Sequence, residues 1–343
     1  MFSAILSLGF LLLFADFASA NFKRLAPLLE AWEQSRSSQG TVAEGNTLPW
    51  IGGWEKLAAI VWAFALLIPL LAFALGCYIF LKNNVQAGNF IIGSAVGTNI
   101  IGMSLVFSLV LLSGPLTFFR VRTVTSPVFV LLATVVFTYA CLNGVISFWE
   151  GLILLLLAVA YGIYFRRFSS EWKHYERTFA GKGRSMLEAT EGILPVVALI
   201  CMGIGFFLLA VLVSYPFVQE LSRQAESTDM GSFRVGAHVV AFAVSLPWLI
   251  RCVLHVRSGP SSKAITITSI SHACLLNMLL LPAFAALIGV RDLAPELLSV
   301  HLPALLFLTG VFVSALLIEK EKGGKLPYFL IAAYLVYTAA GLL

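Results

Sequence analysis

Hydrophobic residues in this chain come in long blocks. Ten apolar stretches lie at about residues 2–20, 57–81, 90–118, 124–146, 149–165, 192–218, 235–256, 264–290, 298–318 and 326–343, with polar or glycine-bearing connections between them. Each approaches or exceeds the roughly 20 residues that an α-helix needs to cross a ~30 Å hydrocarbon layer. That layer holds no water to satisfy a bare backbone, so the pattern predicts an all-α polytopic membrane protein with ten transmembrane helices. Two segments break the pattern. Residues 21–56 carry an amphipathic patch (Leu25, Leu28, Leu29, Trp32) and then a polar linker to Trp50 and Trp54, which predicts an interfacial helix with aromatic anchors. Residues 166–191 are polar and basic, and they divide the helices five and five.

Five is an odd number, so two similar halves must cross the bilayer in opposite directions. Residues 1–165 and 192–343 are therefore read as two inverted five-helix repeats, joined by a cytoplasmic linker at 166–191. In such an arrangement the binding site lies near the midplane where the repeats meet. Loop charge sets the orientation. With the 166–191 loop inside, most of the 22 Lys and Arg residues fall on the cytoplasmic side, and both termini lie outside. Ala18-Ser19-Ala20 resembles a signal-peptide cleavage site. Cleavage there would put 21–56 outside and reverse the charge bias, so the first stretch is read as a membrane helix. The expected location is a bacterial inner membrane.

Composition narrows the picture. Of 343 residues, 59% are hydrophobic and 11% charged, and mean hydropathy is +0.94. The net charge of +5 resides in loops and predicts no nucleic-acid surface. The five cysteines lie in apolar blocks without a CxxC pair, so neither a disulfide framework nor a zinc site is expected. No nucleophile elbow, zincin helix or phosphate-binding loop is present. The chain is not read as an enzyme, and no cofactor or metal centre is expected.

Polar residues inside the apolar blocks carry the chemistry. The densest group is Gly93-Ser94-Ala95-Val96-Gly97-Thr98-Asn99-Ile100-Ile101-Gly102. Small residues at near-helical spacing make a close helix seam, and hydroxyl and amide oxygens can replace water around an ion. Both readings stand for Ser94, Thr98 and Asn99. Pro247 frees a carbonyl one turn earlier, and Ser245 beside it makes either a polar notch or a plain kink. His272 is either a proton-coupling group or a structural histidine. Arg251, three residues after Trp248, either favours an anionic solute or snorkels to the headgroups. Glu150 and Glu191 open the fifth and sixth helices and are read as capping or interfacial residues.

These residues also resemble a known family. Gly93-x-x-x-Gly97-Thr98-Asn99-Ile100 is similar to the G-N-x-x-G-S-N-I core of the first repeat in the cation/calcium antiporter superfamily, the sodium/calcium exchangers. Ala241–Leu249 resembles the second repeat's A-x-G-T-S-L-P-E-L. Asn277-Met278-Leu279-Leu280 resembles the end of its G-S-N-I-F-N-I-L-L, and Ile146–Gly151 with Tyr161 and Tyr164 resembles the family's fifth helix. The resemblance implies an exchanger-type fold with an ion site built from both repeats. It also implies departures. Leu75 and Trp248 stand where the family has a glutamate, Gly102 stands for an asparagine and Ala273 for a serine, and Leu71 and Ala72 replace Thr-Ser. Thr98, Ser245 and Asn277 keep an oxygen at ligand positions.

The sequence itself has no Asp or Glu between Glu55 and Glu150, nor between Asp229 and Asp292. Ca²⁺ takes 6–8 oxygens, including carboxylates, so a high-affinity calcium site is not expected there. The expectation is a secondary transporter moving a monovalent cation or other small solute past Ser94, Thr98, Asn99, Ser245 and Asn277, with the bilayer as its surroundings. The alternative is a transport-inactive scaffold or partner subunit of another membrane protein, with Leu75 and Trp248 filling the former site. A third reading is calcium chemistry with an acid from elsewhere, such as Asp16 on the first helix.

Overall fold

In a computed structural model the chain is described over residues 5–18, 20–21, 54–81, 84–113, 125–168, 194–227, 231–256, 260–289, 293–317 and 324–342. Most of 21–56 and of the 166–191 linker, the side chains of Pro247 and Arg251, and Glu191 lie outside the described residues. The described chain is almost wholly helical. Helix α1 is Ile5–Ala18 and α2 is Trp54–Phe80. Helix α3 runs as Asn84–Ile101, a π turn Gly102–Val106, and Phe107–Leu112. Helices α4 and α5 are Thr125–Cys141 and Phe148–Phe168, and α6 and α7 are Leu194–Val213 and Tyr215–Ser227. Helix α8 runs as Gly231–Val235, a π turn Gly236–Val240, and Ala241–Val256. Helix α9 is Pro260–Leu287, α10 is a π turn Leu297–His301 with Leu302–Leu317, and α11 is Leu326–Leu342.

Stretches of α3 and α9 and the whole of α10 meet the length and hydropathy that membrane crossing needs, as does the region of α6 and α7 taken together. The remaining apolar helices are shorter by that measure. Burial ranks these helices. In α3 and α9, 83% of the apolar stretch is buried, against 39% in α10 and 22% across α6 and α7. The first two are therefore the axis, and the others turn apolar faces outward. Leu132, Tyr139, Trp149, Leu156 and Ile163 on α4 and α5 are among the exposed large apolar residues. A belt of this kind suits lipid rather than water.

The polar groups on α3 show how the halves meet. Asn99 bonds at residues 274 and 277 of α9, while the later Gly102 faces the earlier Ile270 and Cys274. Residue numbers fall on one helix as they rise on the other, so α3 and α9 are antiparallel. Against α8 the order rises together: Gly93 meets Phe233, Gly97 meets Ala237 and Ala241, and Gly102 meets Trp248. Parallel α3/α8 and antiparallel α3/α9 packing is what two oppositely directed halves require.

Two boundaries differ from the sequence expectation. The stretch 192–218 is not one straight span: α6 stops at Val213, and Ser214 forms a turn before α7. Pro216 supplies no N–H and fits only the first turn of a helix, so it starts a new one. Helix α7 then buries Phe217, Val218, Leu221 and Ala225 and turns Glu220 and Arg223 outward, where 219–234 was expected to be loop. The fourth helix ends at Cys141 rather than 146, followed by a turn with Gly144 at φ 74°. The next helix opens on a capping box: Ser147 N–H donates to Glu150 Oε2 (2.7 Å) and Glu150 N–H to Ser147 Oγ (3.3 Å). Glu150 thus caps α5.

Gly93, Gly97 and Gly236 let α3 and α8 touch backbone to backbone. A Cβ on Gly236 would lie 2.7 Å from the Phe90 carbonyl oxygen, and one on Gly97 would overlap that of Ala237. Gly97→Val is expected to destabilise the protein by about 1–3 kcal/mol through overpacking, measured as a lower melting temperature in detergent. A melting temperature equal to the parent's would contradict this seam.

Candidate functional site

The glycine-rich stretch of α3 does two jobs on two faces. Its Gly93/Gly97 face makes the seam with α8. Its Asn99/Gly102 side faces α9 and Trp248 of α8. Asn99 Nδ2 donates to the Cys274 carbonyl at 2.7 Å, and Asn277 Nδ2 donates to Asn99 Oδ1 at 3.0 Å. Both amides are fully buried. Each amide thus crosses from one half of the chain to the other.

The buried hydroxyls fall into two sets. Ser94, Ser104, Ser108, Thr134, Ser214, Ser271 and Thr309 donate to a carbonyl of their own helix. Ser7 donates to the Val213 carbonyl, tying α1 to α6. Such hydroxyls are satisfied by the fold and point to no ligand. Thr98 Oγ1 and Ser245 Oγ are buried with no hydrogen-bond partner in the structure, and so is Asn277 Oδ1. An unpaired buried oxygen costs about 1–3 kcal/mol. The three lie on α3, α8 and α9, helices that pack on one another in a junction and that contain no Asp or Glu.

Trp248 completes the junction. Its ring approaches Gly102, with Cζ3 3.7 Å from where a Cβ on that glycine would lie, and Cys274 Sγ is 3.1 Å from the same point. The missing side chain at 102 makes room for the large one at 248. The π turn starting at Gly102 widens α3 at this level, a device frequent at functional sites. Of the sequence-derived residues, Thr98, Asn99, Ser245 and Asn277 lie on the three converging helices. Ser94 lies one turn away with its hydroxyl bonded to Ile91 O at 2.8 Å. His272 is on α9, its ring 5.9 Å from that of Tyr161 on α5. Leu75 is half-buried on α2, among side chains packed on the core. Among the described residues, no group of three or more His, Cys, Asp or Glu could hold a metal ion.

Sequence reasoning passed over one polar cluster. His238 in the π turn of α8 and His301 in that of α10 are both buried and face each other with Tyr337 of α11. A histidine in each of two apolar blocks was the available signal.

An almost wholly helical, membrane-type fold with two antiparallel central helices joined by buried amides defines a class of polytopic proteins. Solved structures of two exchangers share this fold. The chain matches the sodium-calcium exchanger NCX_Mj, in a structure soaked with zero Na⁺ and Ca²⁺, with a TM-score of 0.59, 17% identity and 98% of each chain covered. It matches the H⁺/Ca²⁺ exchanger CAX with a TM-score of 0.60 and 16% identity, over 98% of this chain and 87% of that one. It matches native YfkE with a TM-score of 0.62 and 12% identity, over 99% and 92%. Residues 198–342 match the sodium/calcium exchanger protein family. The inner membrane protein YrbG of Escherichia coli (strain K12) is 24% identical over 221 residues, which is 64% of this chain and 67% of that protein. The sodium/calcium exchanger family model thus covers the second part of the chain, and the fold of the whole chain is similar to that of these solved exchangers.

The amide bridge gives a direct test. Asn99→Ala and Asn277→Ala are each expected to destabilise the protein by about 1–3 kcal/mol. The double variant should lose less than the sum, with a coupling of about 0.6–1.7 kcal/mol in an unfolding cycle. Full additivity would show that the two amides do not interact.

Proposed function

We propose that this protein is a secondary transporter of the exchanger fold that moves a monovalent cation, held at Thr98, Ser245 and Asn277. The observation that carries this reading is the set of three buried, unpartnered oxygens on α3, α8 and α9. An alkali cation takes such oxygens as ligands, supplemented by backbone carbonyls at helix breaks. Charge selects the valence. The cost of moving an ion from water into a low-dielectric site grows with the square of its charge, and anionic ligands are what offset it. A site without carboxylates offers a divalent ion little return for its dehydration. The exchangers that share this fold are named for Na⁺, H⁺ and Ca²⁺. In this chain Leu75 and Trp248 are read as replacing the superfamily's two glutamates, and Trp248 packed at Gly102 supports that reading for the second half. The two halves, 1–165 and 192–343, alternate access to the junction. The chain sits in a bacterial inner membrane with both termini outside.

One observation favours a second reading. Trp248 is nearly buried and lies against Gly102, so the centre of a non-transporting scaffold or partner subunit would have this packing too.

Uptake by vesicles carrying the purified protein separates the two. Radioactive Na⁺, K⁺ or Rb⁺ should enter under an opposing gradient, and Ca²⁺ should not. Thr98→Val and Ser245→Ala should each lower uptake about tenfold or more. Leu75→Glu/Trp248→Glu should gain Ca²⁺ binding. No flux of any cation under any gradient would sink the transporter reading and leave the scaffold. Ca²⁺ flux in the parent protein would sink the charge argument.

A further inference from the structure

The His238–His301–Tyr337 cluster sits apart from the oxygen-lined junction. His238 precedes Ser245 on α8 by about 10 Å along the helix axis. His301 ends the π turn of α10 and is fully buried, while His238 lies in the π turn of α8 and is 7% exposed. The two imidazole centroids are 5.5 Å apart, and both rings pack on Tyr337, at 4.9 and 5.4 Å. His301 Nδ1 and the Tyr337 hydroxyl share a hydrogen bond of 2.8 Å. The remaining ring nitrogens, His301 Nε2 and both of His238, are buried without a hydrogen-bond partner. The backbone is shaped to receive one ring, since a Cβ on Gly341 of α11 would collide with His238 Nε2.

A neutral imidazole has one N–H to donate and one lone pair to offer. Two adjacent rings with three idle nitrogens therefore hold more hydrogen-bonding capacity than the fold uses. Packing alone would be served better by Leu or Phe, which leave nothing unpaired. The surroundings contain one compensated charge pair: Arg234, one turn before His238, lies 3.6 Å from Glu296 at the start of α10. Helix α11 adds the Tyr334 phenol, whose ring is 6.3 Å from that of Tyr337. Helix α3, packed on the same α8 π turn through Phe90, has no titratable side chain. No carboxylate among these groups faces the imidazoles without a cation beside it.

We propose that His238 and His301, linked through Tyr337, form a single proton-binding site between the π turns of α8 and α10. The ligand is one proton, shared by the pair, because a second would set two like charges about 5.5 Å apart. A bound proton turns an idle lone pair into a donor, so the hydrogen bonding of the pair changes with occupancy. The site lies on the helix that carries Ser245 and Trp248, and a π turn is a place where a helix can shift register at modest cost. The proton site is independent of which ion the junction takes, and its occupancy is read without any transported ion.

The test is ¹⁵N-histidine NMR on the full-length protein in nanodiscs, titrated from about pH 8 to pH 4, a range that brackets the usual imidazole value. His238→Gln and His301→Gln assign the signals. The expected result is that both imidazoles report one shared protonation event, and that removing either ring displaces the titration of the other. Tyr337→Phe keeps the ring packing and serves if a glutamine variant fails to fold. It should change the His301 Nδ1 signal and displace the same event. Two rings that stay unchanged across the range, or titrate independently, would overturn the proposal. So would a titration that Tyr337→Phe leaves untouched.

Discussion

The side-chain amide of Asn99 ties α3 to α9, and the rest of the molecule is arranged around that tie. In an apolar interior an unpaired amide is expensive, and its partners must come from the facing helix. Asn277 and the Cys274 carbonyl supply them. The bond fixes the antiparallel register of the two most buried of the four membrane-length helical stretches among the described residues. Gly93, Gly97 and Gly236 then bring α8 against the other face of α3 closely enough for Trp248 to reach Gly102. Remove the small residues and the third helix stands off. Remove the amides and the first two lose their register.

The junction is polar but carries no formal charge, and this sets its chemistry. A carboxylate there would need a cation to be stable, and a divalent cation would need carboxylates. With neither present, what remains are hydroxyl and amide oxygens that the fold leaves unpaired. The other fully buried Ser and Thr hydroxyls donate to a carbonyl, most often in their own helix, and these do not. Trp248 and Gly102 are complementary in size, one large and one absent. The sodium-calcium and H⁺/Ca²⁺ exchangers share the fold, while α3, α8 and α9 of this chain carry no carboxylate.

Much of this was legible from residue order. Thr98 and Asn99 are conspicuous because an apolar block has no use for them unless they are paired or functional. Glu150 at the opening of a helix predicts a capping or interfacial role, and the Ser147–Glu150 capping box makes it a cap. Five apolar stretches on each side of a basic linker predict two oppositely directed halves, and the parallel α3/α8 and antiparallel α3/α9 packing fits that expectation. Other features were not legible, for physical reasons. The break at Ser214 hides inside a continuous apolar run, and Pro216 marks it only once the amphipathic face of α7 is seen. Which hydroxyls satisfy themselves depends on rotamers, so Ser94 and Thr98 look alike in sequence and differ in space. His238 and His301 each look isolated along the chain, and only the folding of α8, α10 and α11 brings the rings together.

The central claim is that a neutral cluster of oxygens, where the two halves of the chain meet, holds a monovalent cation. The most direct measurement is anomalous diffraction from crystals soaked separately in Tl⁺, as a monovalent probe, and in Sr²⁺, as a divalent one. The account predicts a Tl⁺ peak among Thr98 Oγ1, Ser245 Oγ and Asn277 Oδ1 and no Sr²⁺ peak there. A Sr²⁺ peak at those oxygens, or Tl⁺ bound only elsewhere, would contradict it.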